Sequence, residues 1–285
     1  MSGESGKGRV EVPVSPDRVL PALVPRKPLR SISDLVLPPA VQHRIDLALS
    51  QIDNHEILYQ QWNLKKIDPY RVGTALNFYG PSGTGKSLAA EAVAYERRQS
   101  FIDVSYAEIE SKFVGDTPKN IEACFRQAAA HDAVLVFNEA DSILGSRLSN
   151  VTQSSDHSVN VSRAVMLSQL DAFGGLVIFT TNFPRNYDVA FVRRILMHIR
   201  FDLPDEATRR ALWEMLVPPE IPRAEPLDVA FLAASSAGLA GGDIVNVVKA
   251  AAALAVSRDW PDRVLRTVDL LSEIDAVRQA KSEVS

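Results

Sequence analysis

One stretch of the sequence has the residue types and spacing to hold a chain of phosphates: Gly80-Pro81-Ser82-Gly83-Thr84-Gly85-Lys86-Ser87, which fits G-x-x-x-x-G-K-[ST]. Glycines at those places let successive backbone N–H groups turn inward around phosphate oxygens. A helix opening at the end of the loop would aim the positive end of its dipole at the same point. Lys86 can then reach the outer phosphates, and Ser87 can offer its hydroxyl to Mg²⁺. Residues Pro81, Ser82, Gly83, Thr84, Gly85, Lys86, Ser87 and Leu88 therefore read as a site for ATP. At average residue frequencies a chain of this length matches the pattern by chance about once in a hundred. A second group follows an apolar run: Asn138-Glu139-Ala140-Asp141 after Ala133–Phe137. A carboxylate such as Glu139 at the end of a buried strand, beside the phosphates, can polarise an attacking water. Acidic residues after an apolar strand are common in any fold, and it is the pairing with the glycine loop that gives this one weight.

These groups need elements to position them. Short strand-like runs at Ala75–Tyr79, Phe101–Val104, Ala133–Phe137 and Leu176–Thr180 alternate with helical patterns at Ser87–Arg97, Pro118–His131 and Val161–Ala172. The last two strands are nearly all apolar, as strands buried on both faces should be. His198–Leu203 supplies a fifth. The expected fold class is α/β: an αβα sandwich around a parallel five-stranded sheet. An amphipathic helix over Ala40–Leu58 precedes it. After Pro204 the pattern turns to helices alone, Asp205–Leu216, Leu227–Ala234, Gly242–Val256 and Thr267–Gln279, with Asp205 and Asp243 placed as N-caps. The expected organisation is a flexible Pro-rich N-terminal extension over 1–31, a large α/β domain over 32–204 and a small all-helical lid domain over 205–285. Gly145–Ser158 reads as a mobile Ser/Asn-rich loop.

The 285 residues suffice for one medium and one small domain. The formal charge of −4 disfavours a protein whose main partner is nucleic acid. A single cysteine, Cys124, allows no internal disulfide and suits a reducing compartment. No apolar stretch is long enough to span a bilayer and the N-terminus has no apolar signal core, so a cytoplasmic protein without membrane insertion is expected.

The Gly80–Ser87 loop, the apolar strand ending in Asn138-Glu139-Ala140-Asp141-Ser142, and Thr180-Thr181-Asn182 after the next strand resemble the Walker A, Walker B and sensor 1 segments of the AAA+ ATPases. The resemblance covers roughly residues 32–280. It is closest to the classical AAA clade that includes spastin and katanin, and to small single-module bacterial AAA proteins. It implies an ATPase with ATP and Mg²⁺ as cofactors, in which Glu139 activates water and Asn182 positions the water or the γ-phosphate. Asn138 stands where the family usually has an Asp that helps to hold Mg²⁺ through water. Asn keeps an oxygen of similar reach but loses a charge, so slower hydrolysis is expected. Rubisco activases resemble this chain in carrying Asn there. Ser111–Thr117 is similar to pore loop 1, which makes Phe113, flanked by Lys112 and Val114, the residue gripping an extended peptide; Gly145–Ser158 would be the second pore loop. Thr117 and Pro118 read as the N-cap and first residue of the helix that follows. Arg193 and Arg194 occupy the place of the arginine fingers, which act on a neighbouring subunit's phosphates. Gly238–Ile244, through Gly242, looks like the lid segment touching adenine, and Ser33-Asp34-Leu35-Val36, through Asp34 and Val36, like the linker contacting it by backbone.

The resemblance therefore implies a homo-oligomeric ring, a hexamer, that remodels or threads a protein client supplied directly or through an adaptor. Two alternatives stay open at the level of sequence. One is a nucleotide-dependent switch or scaffold that hydrolyses weakly because of Asn138. The other is a different P-loop enzyme, such as a nucleotide kinase or a DNA-directed motor; the Phe113 segment and the arginine pair speak against a kinase.

Overall fold

The structure, a computed structural model, describes residues 23–69, 72–109, 116–145, 154–182 and 187–284. The apolar runs form β1 (Thr74–Tyr79), β2 (Phe101–Ser105), β3 (Val134–Asn138), β4 (Leu176–Thr181) and β5 (Met197–Arg200). They make one sheet in the order β2-β3-β4-β1-β5, with every neighbouring pair parallel. Parallel neighbours need crossover connections. Helix α1 (Pro39–Asp53) precedes β1 and packs on the sheet, and the helices α2 (Lys86–Glu96), α3 (Tyr106–Ile109), α4 (Asp116–Ala130), α5 (Asp141–Leu144), α6 (Ser154–Ala172) and α7 (Val189–Arg194) lie in those connections. Leu76, Phe78, Val134, Val136 and Ile178 pack on one face against Ile45 of α1 and Ala89, Ala90 and Val93 of α2. Leu135, Phe137, Val177 and Phe179 pack on the other against Ile121 and Phe125 of α4 and Met166 of α6. With both faces covered, β3 and β4 show no polar–apolar alternation. Cys124 lies inside this second layer, where burial pushes its thiol pKa up to about 12.

The chain then forms α8 (Glu206–Leu216), α9 (Val229–Ser235), α10 (Gly241–Val256) and α11 (Thr267–Val284) around a core of their own built on Trp213, Leu232, Val247 and Leu270. Asp205 caps α8, its carboxylate accepting from Thr208 N at 2.8 Å. Trp213 donates its indole N–H to Ser236 Oγ at 3.0 Å, which satisfies a buried polar group. Among the described residues no helix is long and apolar enough to cross a membrane.

Several boundaries differ from the sequence expectation. Of the expected 1–31 extension, residues 1–22 lie outside the described residues, whereas Leu23 is buried and Arg26 pairs with Phe101 at the β2 edge of the sheet, donating its backbone N–H at 2.8 Å and accepting at 2.9 Å. β5 covers Met197–Arg200 instead of His198–Leu203, because its neighbour β1 ends at Tyr79, opposite Arg200. Helix α4 already includes Asp116 and Thr117, so Thr117 lies within it and is not its cap, and Pro118 follows inside the helix. Helix α10 starts at Gly241, and Asp243 accepts from Ala240 N at 2.7 Å from inside the first turn. Helix α1 stops at Asp53 and a single π-helical turn, Ile57–Gln61, follows. Helix α6 reaches back to Ser154, which shortens the expected Gly145–Ser158 loop; its residues 146–153 lie outside the described residues. The short α7, which carries the arginine pair, was not anticipated.

Candidate active site

The strand order places the ends of β3, β4 and β1 side by side, and these are the carboxyl ends at which open parallel sheets bind ligands. The glycine loop leaves β1 there. Gly80 has φ 143°, and a Cβ on it would lie 1.9 Å from the Phe201 carbonyl oxygen, so no other residue fits between β1 and β5. Gly83 meets the helical domain through backbone alone: Gly242 N donates to Gly83 O at 2.9 Å. Between loop, strand ends and lid lies a cavity of about 570 Å³, within the range of small-molecule sites. Ser82–Leu88, Asn138, Glu139, Thr180 and Asn182 give it a polar floor, while Val36, Leu212 and Met215 give it an apolar wall. A flat aromatic base attached to a phosphate chain has that same division.

Lys86 is buried, and its Nζ donates to Gly80 O and Pro81 O, both at 2.8 Å. Burial lowers its pKa, against an upward pull from Asp141. Asn138 sits at the centre of a small polar cluster. Its Oδ1 accepts from Ser87 Oγ at 2.8 Å and from Thr180 Oγ1 at 2.7 Å, and its Nδ2 donates to Asp103 on β2. The oxygens of Ser87 and Asn138 are hard donors facing the phosphate loop, a set suited to Mg²⁺, which is commonly held by few protein groups together with substrate phosphates. Glu139 adopts φ 55°, a left-handed conformation uncommon for a residue with a Cβ, and this turn leaves its side chain exposed at the cavity. Asn182 also lines the cavity, and its backbone N–H donates to both oxygens of Asp141 at 3.1 and 3.3 Å.

Ser82–Leu88 of the expected phosphate loop, with Val36, Asn138, Glu139, Asn182 and Gly242, thus come together. Pro81 lines an adjoining opening instead. Asp34 does not line the cavity; its carboxylate accepts from Ser31 N at 2.7 Å and Ser31 Oγ at 2.8 Å, closing a local turn. Arg193 and Arg194 lie elsewhere, beside a small cavity with Val72 and Phe173 that shares no lining residue with the larger one. Arg194 is held by two 2.7 Å hydrogen bonds to Asp171 and one of 3.0 Å to Ala190 O. Arg193 is exposed and makes no hydrogen bond or ion pair among the described residues. Lys112, Phe113 and Val114 lie outside the described residues. Asp103 was missed by the sequence reading. The available signal was a lone carboxylate in the otherwise apolar Phe101–Val104 run, next to the strand that ends in Asn138.

Comparison with known proteins agrees with this geometry. The family model described as "ATPase family associated with various cellular activities (AAA)" matches residues 76–203, from the middle of β1 to the turn before the lid. The chain carries an ATPase domain of the classical AAA family. A spastin homolog from Caenorhabditis elegans is 33% identical over 186 residues, covering 61% of this chain and 35% of that protein. The ATP-dependent zinc metalloprotease FtsH 2 of Sphaerobacter thermophilus is 32% identical over 211 residues, 72% of this chain and 32% of that protein. Spastin of Drosophila willistoni is 35% identical over 191 residues, 62% of this chain and 23% of that protein. The AAA chain therefore spans about a third or less of the length of these curated relatives, and what it shares with them is the ATPase module.

Proposed function

We propose that this AAA ATPase binds Mg·ATP in the 570 Å³ cavity and hydrolyses it as a homo-oligomeric ring, a hexamer, that remodels or threads a protein client. Backbone N–H groups of Ser82–Gly85 and the Lys86 ammonium hold the phosphates, trading the Gly80 and Pro81 carbonyls for phosphate oxygens. Ser87 Oγ and Asn138 Oδ1, the latter through water, would hold Mg²⁺, whose charge offsets that of the β- and γ-phosphates when bound. Glu139 takes the proton of the attacking water, and Asn182 orients that water or the γ-phosphate. Val36 and Gly242 flank the base. Phe113, with Lys112 and Val114, would grip the client in the ring's channel, and the buried thiol of Cys124 suits a cytoplasmic setting.

The observation that carries the reading is the split between the two halves of the chemistry. Glu139, Lys86 and Asn182 share one cavity, whereas the arginine pair lies on a surface that contributes nothing to it. Arginines that are to complete a phosphate site from there must complete a neighbour's, which requires assembly. A nucleotide switch needs no such surface. The test is ATP turnover per subunit across a wide dilution series, with oligomer size followed in parallel. Turnover that falls with dissociation supports the ring; constant turnover per subunit refutes it.

A further inference from the structure

We propose that Asp103 is a positioning residue for the metal side of the site and carries the negative charge that Asn138 lacks. The proposal rests on the reading of Ser87 and Asn138 as the metal-side oxygens. Asp103 and Asn138 lie on one face of neighbouring parallel strands, the face covered by α2, with Ser105 opposite Asn138 and Asp103 opposite Val136. An ionised carboxylate only accepts hydrogen bonds, so Asp103 can meet only the amide end of Asn138. That is the contact present: Asn138 Nδ2 donates to Asp103 Oδ1. The carbonyl end is thereby turned the other way, where Ser87 Oγ and Thr180 Oγ1 donate to it at 2.8 and 2.7 Å. A carboxamide without such a neighbour can flip, and flipping would point N–H groups at a cation.

Asp103 is itself held in place. Its Oδ2 accepts from Arg26 Nη2 at 2.6 Å, and the Arg26 guanidinium lies 5.1 Å from the centroid of the Phe101 ring. The Arg26 side chain is 58% exposed, so the pair acts by orienting Asp103 more than by stabilising the fold. The charge pattern is complementary. An Asp at position 138 would place two carboxylates in hydrogen-bond contact, and like charges that close disfavour ionising both. Asn at 138 with Asp at 103 removes the conflict and leaves one negative charge a single side chain behind the oxygen that faces the phosphates. Asn138 is then half of a matched pair, not a simple loss of charge.

Mn²⁺ is the probe, titrated into the full chain saturated with a non-hydrolysable ATP analogue, with free ion read by electron paramagnetic resonance. Asp103→Asn should weaken Mn²⁺ binding by on the order of tenfold, as loss of such a partner behind a metal ligand does, and leave metal-free nucleotide affinity unchanged. Asn138→Asp alone should not tighten Mn²⁺ binding. The double exchange, Asp103→Asn with Asn138→Asp, should recover wild-type affinity or better, because the hydrogen bond survives with donor and acceptor reversed; keeping the same atoms, it also serves if Asp103→Asn folds poorly. Unchanged Mn²⁺ affinity in Asp103→Asn, or simple additivity in the double exchange, overturns the proposal. Ser87→Ala separates the two levels. If it weakens Mn²⁺ while Asp103→Asn does not, only the role of Asp103 falls. If Ser87→Ala too leaves Mn²⁺ unaffected, the metal-site reading falls, and the proposal with it.

Discussion

Replacing Arg193 by Ala tests the division of labour between subunits. Arg194 is tied to Asp171 by two 2.7 Å hydrogen bonds. The two side chains are 33% and 56% exposed, so solvent screening leaves that pair about 1 kcal/mol or less of stabilisation. Arg193 has no such tie among the described residues, and its loss should leave the fold and the nucleotide cavity intact. A guanidinium that stabilises the transferring phosphoryl group is worth about a thousandfold or more in turnover, roughly 4 kcal/mol in the barrier. Arg193→Ala should therefore bind ATP with unchanged Kd and lose hydrolysis by about that factor. The decisive assay mixes Arg193→Ala subunits with Glu139→Gln subunits, each inactive alone. Where a Glu139→Gln subunit presents Arg193 to an Arg193→Ala subunit, that site has both its carboxylate and its arginine, so ATPase activity should reappear and peak at intermediate mixing ratios. No recovery at any ratio between variants that do co-assemble, or more than a tenth of wild-type turnover in Arg193→Ala alone, would refute the reasoning. Arg194→Ala, run alongside, reports whether the Asp171 tie is released for catalysis: a loss as large as that of Arg193→Ala means that both arginines are used.

Gly242→Val places side-chain atoms where even a Cβ would lie 3.2 Å from Gly83 Cα. The clash should push the lid off the phosphate loop and weaken ATP binding by about 1–3 kcal/mol, measurable by fluorescent-nucleotide titration with little change in Tm. His198, half-buried on β5 beside Asn77 and Tyr187, has its pKa lowered by burial, against a smaller upward pull from the Val192 backbone. Its folded pKa lies below the ordinary value of 6.5, so as pH falls through that value the unfolded chain takes up the proton first and stability drops. Urea denaturation between pH 7.5 and 5.5 should show this loss, at most about 1.4 kcal/mol per pH unit for one proton, and His198→Gln should flatten it.

Much of this architecture was legible in the sequence because its signals are local. The glycine loop must turn where Gly80 faces Phe201, and the Val134–Asn138 and Leu176–Thr181 runs are apolar because helices cover both faces. Glu139 could be read as lying beside the loop because parallel sheets bind ligands at the carboxyl ends of their strands. What escaped depends on contacts between distant segments. Asp103 matters only because β2 lies next to β3 in register, and Arg26 only because the chain before α1 pairs along the β2 edge. The end of β5 is set by the length of β1, and the tie between Arg194 and Asp171 joins residues on different helices. The start of α10 was misplaced because its cap, Ala240, carries no side-chain acceptor, and Asp243 bonds back to it from inside the first turn.

The central claim is that this loop and its lysine hold a triphosphate beside Glu139. Isothermal titration calorimetry of Mg·ATP into the wild-type chain and Lys86→Ala tests it most directly. The wild type should bind saturably, and Lys86→Ala should lose about thirtyfold or more in affinity, as expected for removing a buried, hydrogen-bonded charge partner. Equal affinity in the two proteins, or no uptake of Mg·ATP by the wild type, would contradict it.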